Sequence, residues 1–182
     1  MDINEDIEKV LISEEEIQKK VKELAKRISE DYEGKNPLLV GILRGAAVFL
    51  ADLAREISIP VEFDFMAVSS YGTATKTSGV VRILKDLDED IKGRHVLLIE
   101  DIVDTGLTLN YLLKNLKSRK PASLEICALL TKKQKQKTAT GTKYDGFVIP
   151  DKFVVGYGLD YAEKYRNLSS VCTLKPEVYE DD

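Results

Sequence analysis

The chain has 182 residues, 32% of them charged and 43% hydrophobic, which fits one ordinary globular domain. Its 27 basic and 31 acidic side chains leave a net charge of −4, which speaks against a dedicated nucleic-acid binder. No apolar run reaches the roughly 18 residues of a membrane span, the acidic start Met1-Asp2-Ile3-Asn4-Glu5-Asp6 has no apolar core to serve as a secretory signal, and the lone His95 leaves little room for a zinc site or a Ser-His-Asp triad.

In chain order, Ser13-Glu14-Glu15-Glu16 predicts a capping box, and Ile17, Val21, Leu24, Ala25 and Ile28 continue it as an amphipathic helix ending near Gly34. The run Leu38-Leu39-Val40-Gly41-Ile42-Leu43 reads as a strand buried on both faces. Arg44-Gly45 is a tight break before a helix over 46–55, and 61–68 reads as a second strand. Residues 69–79, with Gly72, Gly79 and many Ser and Thr, suggest a mobile loop. Strands follow at 80–84 and 95–100, then a loop over 101–106. Leu109, Leu112, Leu113 and Leu116 mark one face of a helix, and 124–130 is another apolar strand. Pro150-Asp151 is a turn signal between 147–149 and 153–155, and 171–174 closes the series. Cys127 and Cys172 lie in apolar runs and read as buried thiols of a reducing cytoplasm. Apolar strands alternating with helices predict one α/β domain, a parallel sheet covered on both faces. The first helix and the C-terminal strands are additions to it.

The sharpest feature is Leu97-Leu98-Ile99-Glu100-Asp101-Ile102-Val103-Asp104-Thr105-Gly106-Leu107-Thr108. An apolar strand runs into two adjacent acids, then a third, and a helix begins. Ligands of open α/β sheets bind beyond the carboxyl ends of strands. Gly106 lets the backbone approach a ligand closely, and free N–H groups of 104–108 favour an anion at the helix start. Thr105 and Thr108 add hydroxyl donors, which makes a seat for one phosphate. Glu100 and Asp101 suit hydroxyls or Mg²⁺ instead. The loop therefore fits a ribose 5-phosphate.

These residues resemble the phosphoribosyl-diphosphate (PRPP) signature of the type I phosphoribosyltransferases. Leu43-Arg44-Gly45, Ser69-Ser70-Tyr71-Gly72, Lys132, the run from Ile149 through Phe153-Val154-Val155-Gly156-Tyr157-Gly158-Leu159-Asp160-Tyr161, and Tyr165-Arg166-Asn167-Leu168 match in order, over about 37–174. The late run resembles the family's 6-oxopurine branch. The resemblance implies a Rossmann-like parallel sheet flanked by helices, with a flexible lid loop. Within a single domain 1–182 it implies a core over about 37–150 and a small hood from about 1–36 and 151–182. It implies transfer of phosphoribose from PRPP to N9 of hypoxanthine or guanine, with Mg²⁺, in a cytoplasmic homodimer or homotetramer that needs neither membrane nor nucleic acid.

By the same resemblance, Asp104 is the general base at purine N7. Glu100 and Asp101 hold the ribose hydroxyls and Mg²⁺. Thr105, Gly106, Leu107 and Thr108 hold the 5′-phosphate. Arg44, Gly45, Arg166, Ser70 and Tyr71 serve the diphosphate, and the Leu43–Arg44 peptide is a candidate cis bond. Lys132 donates to purine O6, Phe153 stacks on the ring, the Val154 backbone meets its edge, and Asp160 binds a second Mg²⁺ through water. Residues 69–79 become a lid that excludes water.

By residue type alone, Asp104 is a helix cap, Arg44 a surface cation and Phe153 a core residue. Lys132 is then a solvated lysine among Lys133, Lys135 and Lys137. Arg44 stands where the family often carries Lys, and 132–137 replaces a segment that usually carries Pro and Arg. Two other readings share the pattern: a PRPP-binding regulator that binds RNA or DNA, and an enzyme preferring xanthine.

Overall fold

The structure, a computed structural model, describes residues 3–71, 80–132 and 141–178; at 70, 71 and 80 only the backbone is described. A 3-10 turn (Ile3–Asp6) leads into β1 (Ile7–Ile12) and α1 (Glu14–Asp31). The predicted capping box starts α1: Ser13 Oγ accepts the Glu16 N–H at 3.2 Å, and Glu16 Oε2 accepts the Ser13 N–H at 2.8 Å. There follow β2 (Leu38–Leu43), α2 (Ala46–Glu56), β3 (Glu62–Tyr71), β4 (Val80–Lys85), β5 (His95–Val103), α3 (Leu107–Ser118), β6 (Ser123–Thr131), β7 (Tyr144–Val148) and β8 (Val171–Leu174).

Six strands form one sheet in the order β4-β3-β2-β5-β6-β7, and β1 pairs with β8 in a separate two-stranded ribbon. The period of two along each strand divides the core. Leu39, Leu97, Ile99, Cys127 and Leu129 point to the face covered by α1 and α2. Their neighbours Leu38, Val40, Val96, Leu98, Ile126 and Ala128 point to the face covered by Leu109, Leu112, Leu113 and Leu116 of α3. Both cysteines are buried and free.

Four expectations need correcting. The sheet is mixed, because β4 runs antiparallel to β3. That pairing carries β3 on to Tyr71, so Ser69-Ser70-Tyr71 belong to a strand instead of the expected loop. Residues 72–79 of that loop, and the side chains of Ser70 and Tyr71, lie outside the described residues. β5 does not stop at Glu100: Ile102 and Val103 stay in register with Leu130 and Thr131 of β6. Finally, 153–155 is no strand; Val155 makes an isolated bridge to Cys172. Among the described residues no helix is long and apolar enough to cross a membrane.

The C-terminal segment docks back on the core through Tyr157, which is 3% exposed. Its hydroxyl donates to Asp52 Oδ2 of α2 at 2.7 Å, and the same oxygen accepts Gln18 Nε2 of α1 at 3.2 Å. Burial raises the Asp52 pKa, but the bonds from Tyr157, Gln18 and Arg55 outweigh it and hold the carboxyl below its ordinary 3.8. Asp52→Ala orphans the Tyr157 hydroxyl and is expected to cost about 1–3 kcal/mol in urea denaturation. Asp52→Asn keeps an acceptor and should cost less; equal losses would deny the acceptor this role. A carboxyl held low stabilises the fold above pH 3.8, and that contribution is lost as pH falls below it.

Candidate active site

β2 and β5 are neighbours in the sheet, yet β2 is followed by β3 on its other side and β5 by β6. The chain thus leaves their carboxyl ends in opposite directions and opens a crevice there. Two turns line it. After β2, the Leu43–Arg44 peptide, a candidate cis bond from the sequence, is cis, and Gly45 starts α2. After β5 come Asp104, Thr105 and Gly106, whose left-handed φ of 76° swings the chain into α3. α3 has no side-chain cap, so the N–H groups of its first turn remain for a ligand. The Leu107 N–H meets Thr105 Oγ1 only at 3.5 Å. A cleft of ≈ 130 Å³ sits against this turn, lined by Glu100, Ile102, Asp104, Thr105, Gly106, Thr108 and Leu109.

The two adjacent acids do not face one place. Because β5 continues to Val103, Glu100 and Asp101 point to opposite sides. Glu100 lines the cleft at α3, while the Asp101 carboxylate lies against Gly45, where a Cβ would meet Oδ2 at 1.5 Å. Burial pushes Glu100 well above the usual carboxylate range, and the neighbouring charge of Asp101 adds to it. Burial likewise raises Asp101, to about 6, against the Ile102 N–H and the charge of Arg166, which lower it.

Lys132 is not a solvated lysine. Its N–H donates to Val103 O at 3.0 Å, which seats it at the end of β6 beside β5 with 7% exposure. Its Nζ lies 3.9 Å from Asp104 Oδ2 and 3.7 Å from Asp151 Oδ1, inside ion-pair range but short of a hydrogen bond to either. Asp104 Oδ1 is buried and accepts no hydrogen bond. Asp104 does not cap α3 either; the N-cap is Gly106. A buried cation and an unsatisfied carboxylate oxygen thus stand side by side, ready for a ligand edge that offers both an acceptor and a donor.

Phe153, far from being core, is 51% exposed and stands edge-on to Tyr161, with centroids 5.8 Å apart, while Val154 beside it is buried. Arg166 donates from Nη1 to Gly158 O at 2.8 Å and pairs through Nη2 with Asp160 Oδ1 at 2.9 Å. The other Asp160 oxygen accepts the Glu163 N–H at 3.0 Å. Arg44 projects into solvent and pairs with Glu163. Among the described residues no three His, Cys, Asp or Glu side chains converge into a complete metal cage. The sequence reading missed Asp151, noted only as a turn residue, Glu163, and Gly158, where a Cβ would meet Gly45 O at 2.1 Å. Of these only the Gly-Tyr-Gly run carries a local signal of close approach.

Residues 11–162 match the model of the phosphoribosyl transferase domain. The chain is 55% identical over 175 residues to a hypoxanthine-guanine phosphoribosyltransferase of Bacillus subtilis, covering 96% of this chain and 97% of that protein. It is 51% identical over 179 residues to a bifunctional protein TilS/HprT of Listeria innocua; that match covers 98% of this chain but spans 28% of the longer protein. A crystal structure of a hypoxanthine phosphoribosyltransferase from Staphylococcus aureus superposes with a TM-score of 0.94 at 50% identity, covering 97% of this chain and 96% of that one. With its switch-point crevice, its Asp-Thr-Gly turn and its buried lysine, the chain belongs to the phosphoribosyltransferase family and, within it, to the hypoxanthine-guanine phosphoribosyltransferases.

Proposed function

We propose that the chain transfers the 5-phosphoribosyl group of PRPP to N9 of hypoxanthine or guanine, yielding IMP or GMP and diphosphate, as a cytoplasmic purine-salvage enzyme. The observation that carries this is the pairing of buried Lys132 with Asp104, whose Oδ1 is buried without a donor. A 6-oxopurine offers a carbonyl oxygen at position 6 and an N–H at position 7, the two complements this pair lacks. Lys132 holds O6 while N9 attacks C1′ of the ribose and the C1′–diphosphate bond breaks. The N7 proton passes to Asp104, so no cationic purine builds up. The α3 N–H groups with Thr105 and Thr108 hold the 5′-phosphate, Phe153 stacks on the base, and Arg44 and Arg166 hold the diphosphate. Such positioning supplies much of the rate.

Mg²⁺ fits either carboxylate taken singly, because Glu100 and Asp101 offer buried hard oxygens on opposite sides of β5 and Mg²⁺ can take one carboxylate with substrate oxygens and water for the rest. When bound, it neutralises the departing diphosphate. Asp160, both of whose oxygens are engaged by the chain, suits contact through water. In this reading α1 belongs to the core, since it packs on α2 and β7, and the hood is built from β1 and 151–178. The assembly is a homodimer or homotetramer, which sedimentation measures.

The test is diphosphate release from PRPP and Mg²⁺ with hypoxanthine, guanine, xanthine or adenine in turn. Release with the first two and little with adenine is expected; no release with any base would end the reading. Lys132→Ala should raise the KM for the purine by about 10- to 100-fold, the factor for an orphaned buried acceptor, and the KM for PRPP far less. Equal losses for both substrates would contradict its place at the base.

A further inference from the structure

Glu163 stands where two cations from distant parts of the chain meet. Its Oε2 accepts Arg44 Nη1 at 2.5 Å and lies 3.5 Å from Arg166 Nη2. Arg44 comes from the turn after β2, and Arg166 from the C-terminal segment. Glu163 is delivered by its own backbone. Its N–H donates to Asp160 Oδ2 at 3.0 Å, and the turn carries Ala162 and Glu163 through left-handed φ values of 49° and 63°. Arg166 still has an unused donor, because its Nε is buried without a partner.

We propose that Glu163 is a built-in competitor for the diphosphate subsite: its carboxylate bridges the two guanidinium groups that the diphosphate takes, and it is displaced when PRPP binds. This rests on the reading of Arg44 and Arg166 given above. A diphosphate offers more acceptor oxygens and more charge than one carboxylate, so it wins the arginines and can also engage Nε. The Arg44–Glu163 pair is largely solvated, at 69% and 63% side-chain exposure, and such pairs are weak. Glu163 therefore tunes affinity instead of locking the site. It returns to the arginines as diphosphate leaves, which favours product release.

The experiment is calorimetric titration of inorganic diphosphate with Mg²⁺ into the full chain and its variants, beside steady-state kinetics. Glu163→Gln keeps the shape of an exposed side chain and removes its charge. It should tighten the diphosphate Kd by about two- to five-fold and lower the PRPP KM by a similar factor, with a smaller change in the purine KM. On an Arg44→Ala background the gain should shrink or vanish. An unchanged or weaker Kd in Glu163→Gln, or an undiminished gain without Arg44, would overturn the proposal while leaving the transfer reaction standing. A wild-type chain that binds no diphosphate would take down the reading of the subsite as well, and the base assay reports on that independently.

Discussion

Replacing Asp104 by alanine is expected to lower kcat by about 10²–10⁴-fold, the range for loss of a positioned general base. The geometry isolates this effect from others. Asp104 Oδ1 is buried without a hydrogen bond, and Oδ2 pairs with Lys132 at 3.9 Å. The side chain caps no helix, since α3 begins at Gly106 without a side-chain cap. Its removal relieves the unsatisfied Oδ1 but leaves the buried Lys132 with the Asp151 carboxylate, so the stability change should stay within about 1–3 kcal/mol and be separable from the loss of kcat. The phosphate seat on α3 is untouched, so the PRPP KM should move little. Asp104→Asn sharpens the test because it keeps shape and polarity and loses only the base; it should fall nearly as far in single-turnover chemistry. A rate near wild type in either variant would remove Asp104 from proton transfer.

The layers of the fold were legible because burial leaves a periodic trace. Leu38–Leu43 is apolar at every position, and the structure uses both parities, Leu39 toward α1 and α2, Leu38 and Val40 toward α3. The site was legible only in part. Glu100 and Asp101 read as one acidic pair at a strand end, since acids usually mark a loop. The ladder to Leu130 and Thr131 kept them in the strand and sent them to opposite sides. Lys132 looked solvated because its neighbours in sequence are lysines, but its burial comes from the Val103 carbonyl across the sheet. Glu163 left no local signal, because its partner Arg44 is 119 positions away. Chain neighbours report patterning; contacts closed by tertiary structure do not appear in them.

Gly45→Ala is expected to lower kcat/KM for PRPP by about 10²-fold or more, the loss that follows a displacement of about 1 Å at a reacting centre. The cause is not backbone strain. Gly45 has φ −60° and ψ −41°, which alanine adopts freely. The cause is the partner: the new Cβ would stand 1.5 Å from Asp101 Oδ2 and 2.6 Å from its Cγ. Gly158 also packs closely on this turn, its own Cβ position lying 2.1 Å from Gly45 O, which leaves the turn little room to shift. Either Asp101 rotates or the turn shifts, and overpacking of this kind costs about 1–3 kcal/mol of stability. A double variant separates steric from chemical loss. With Asp101→Ala in place, the nearest remaining atom of residue 101 is its Cβ at 3.5 Å, an ordinary contact. Gly45→Ala with Asp101→Ala should therefore regain the stability lost in Gly45→Ala without regaining its activity. Full activity in Gly45→Ala alone would mean that the close approach of this turn to Asp101 has no part in catalysis.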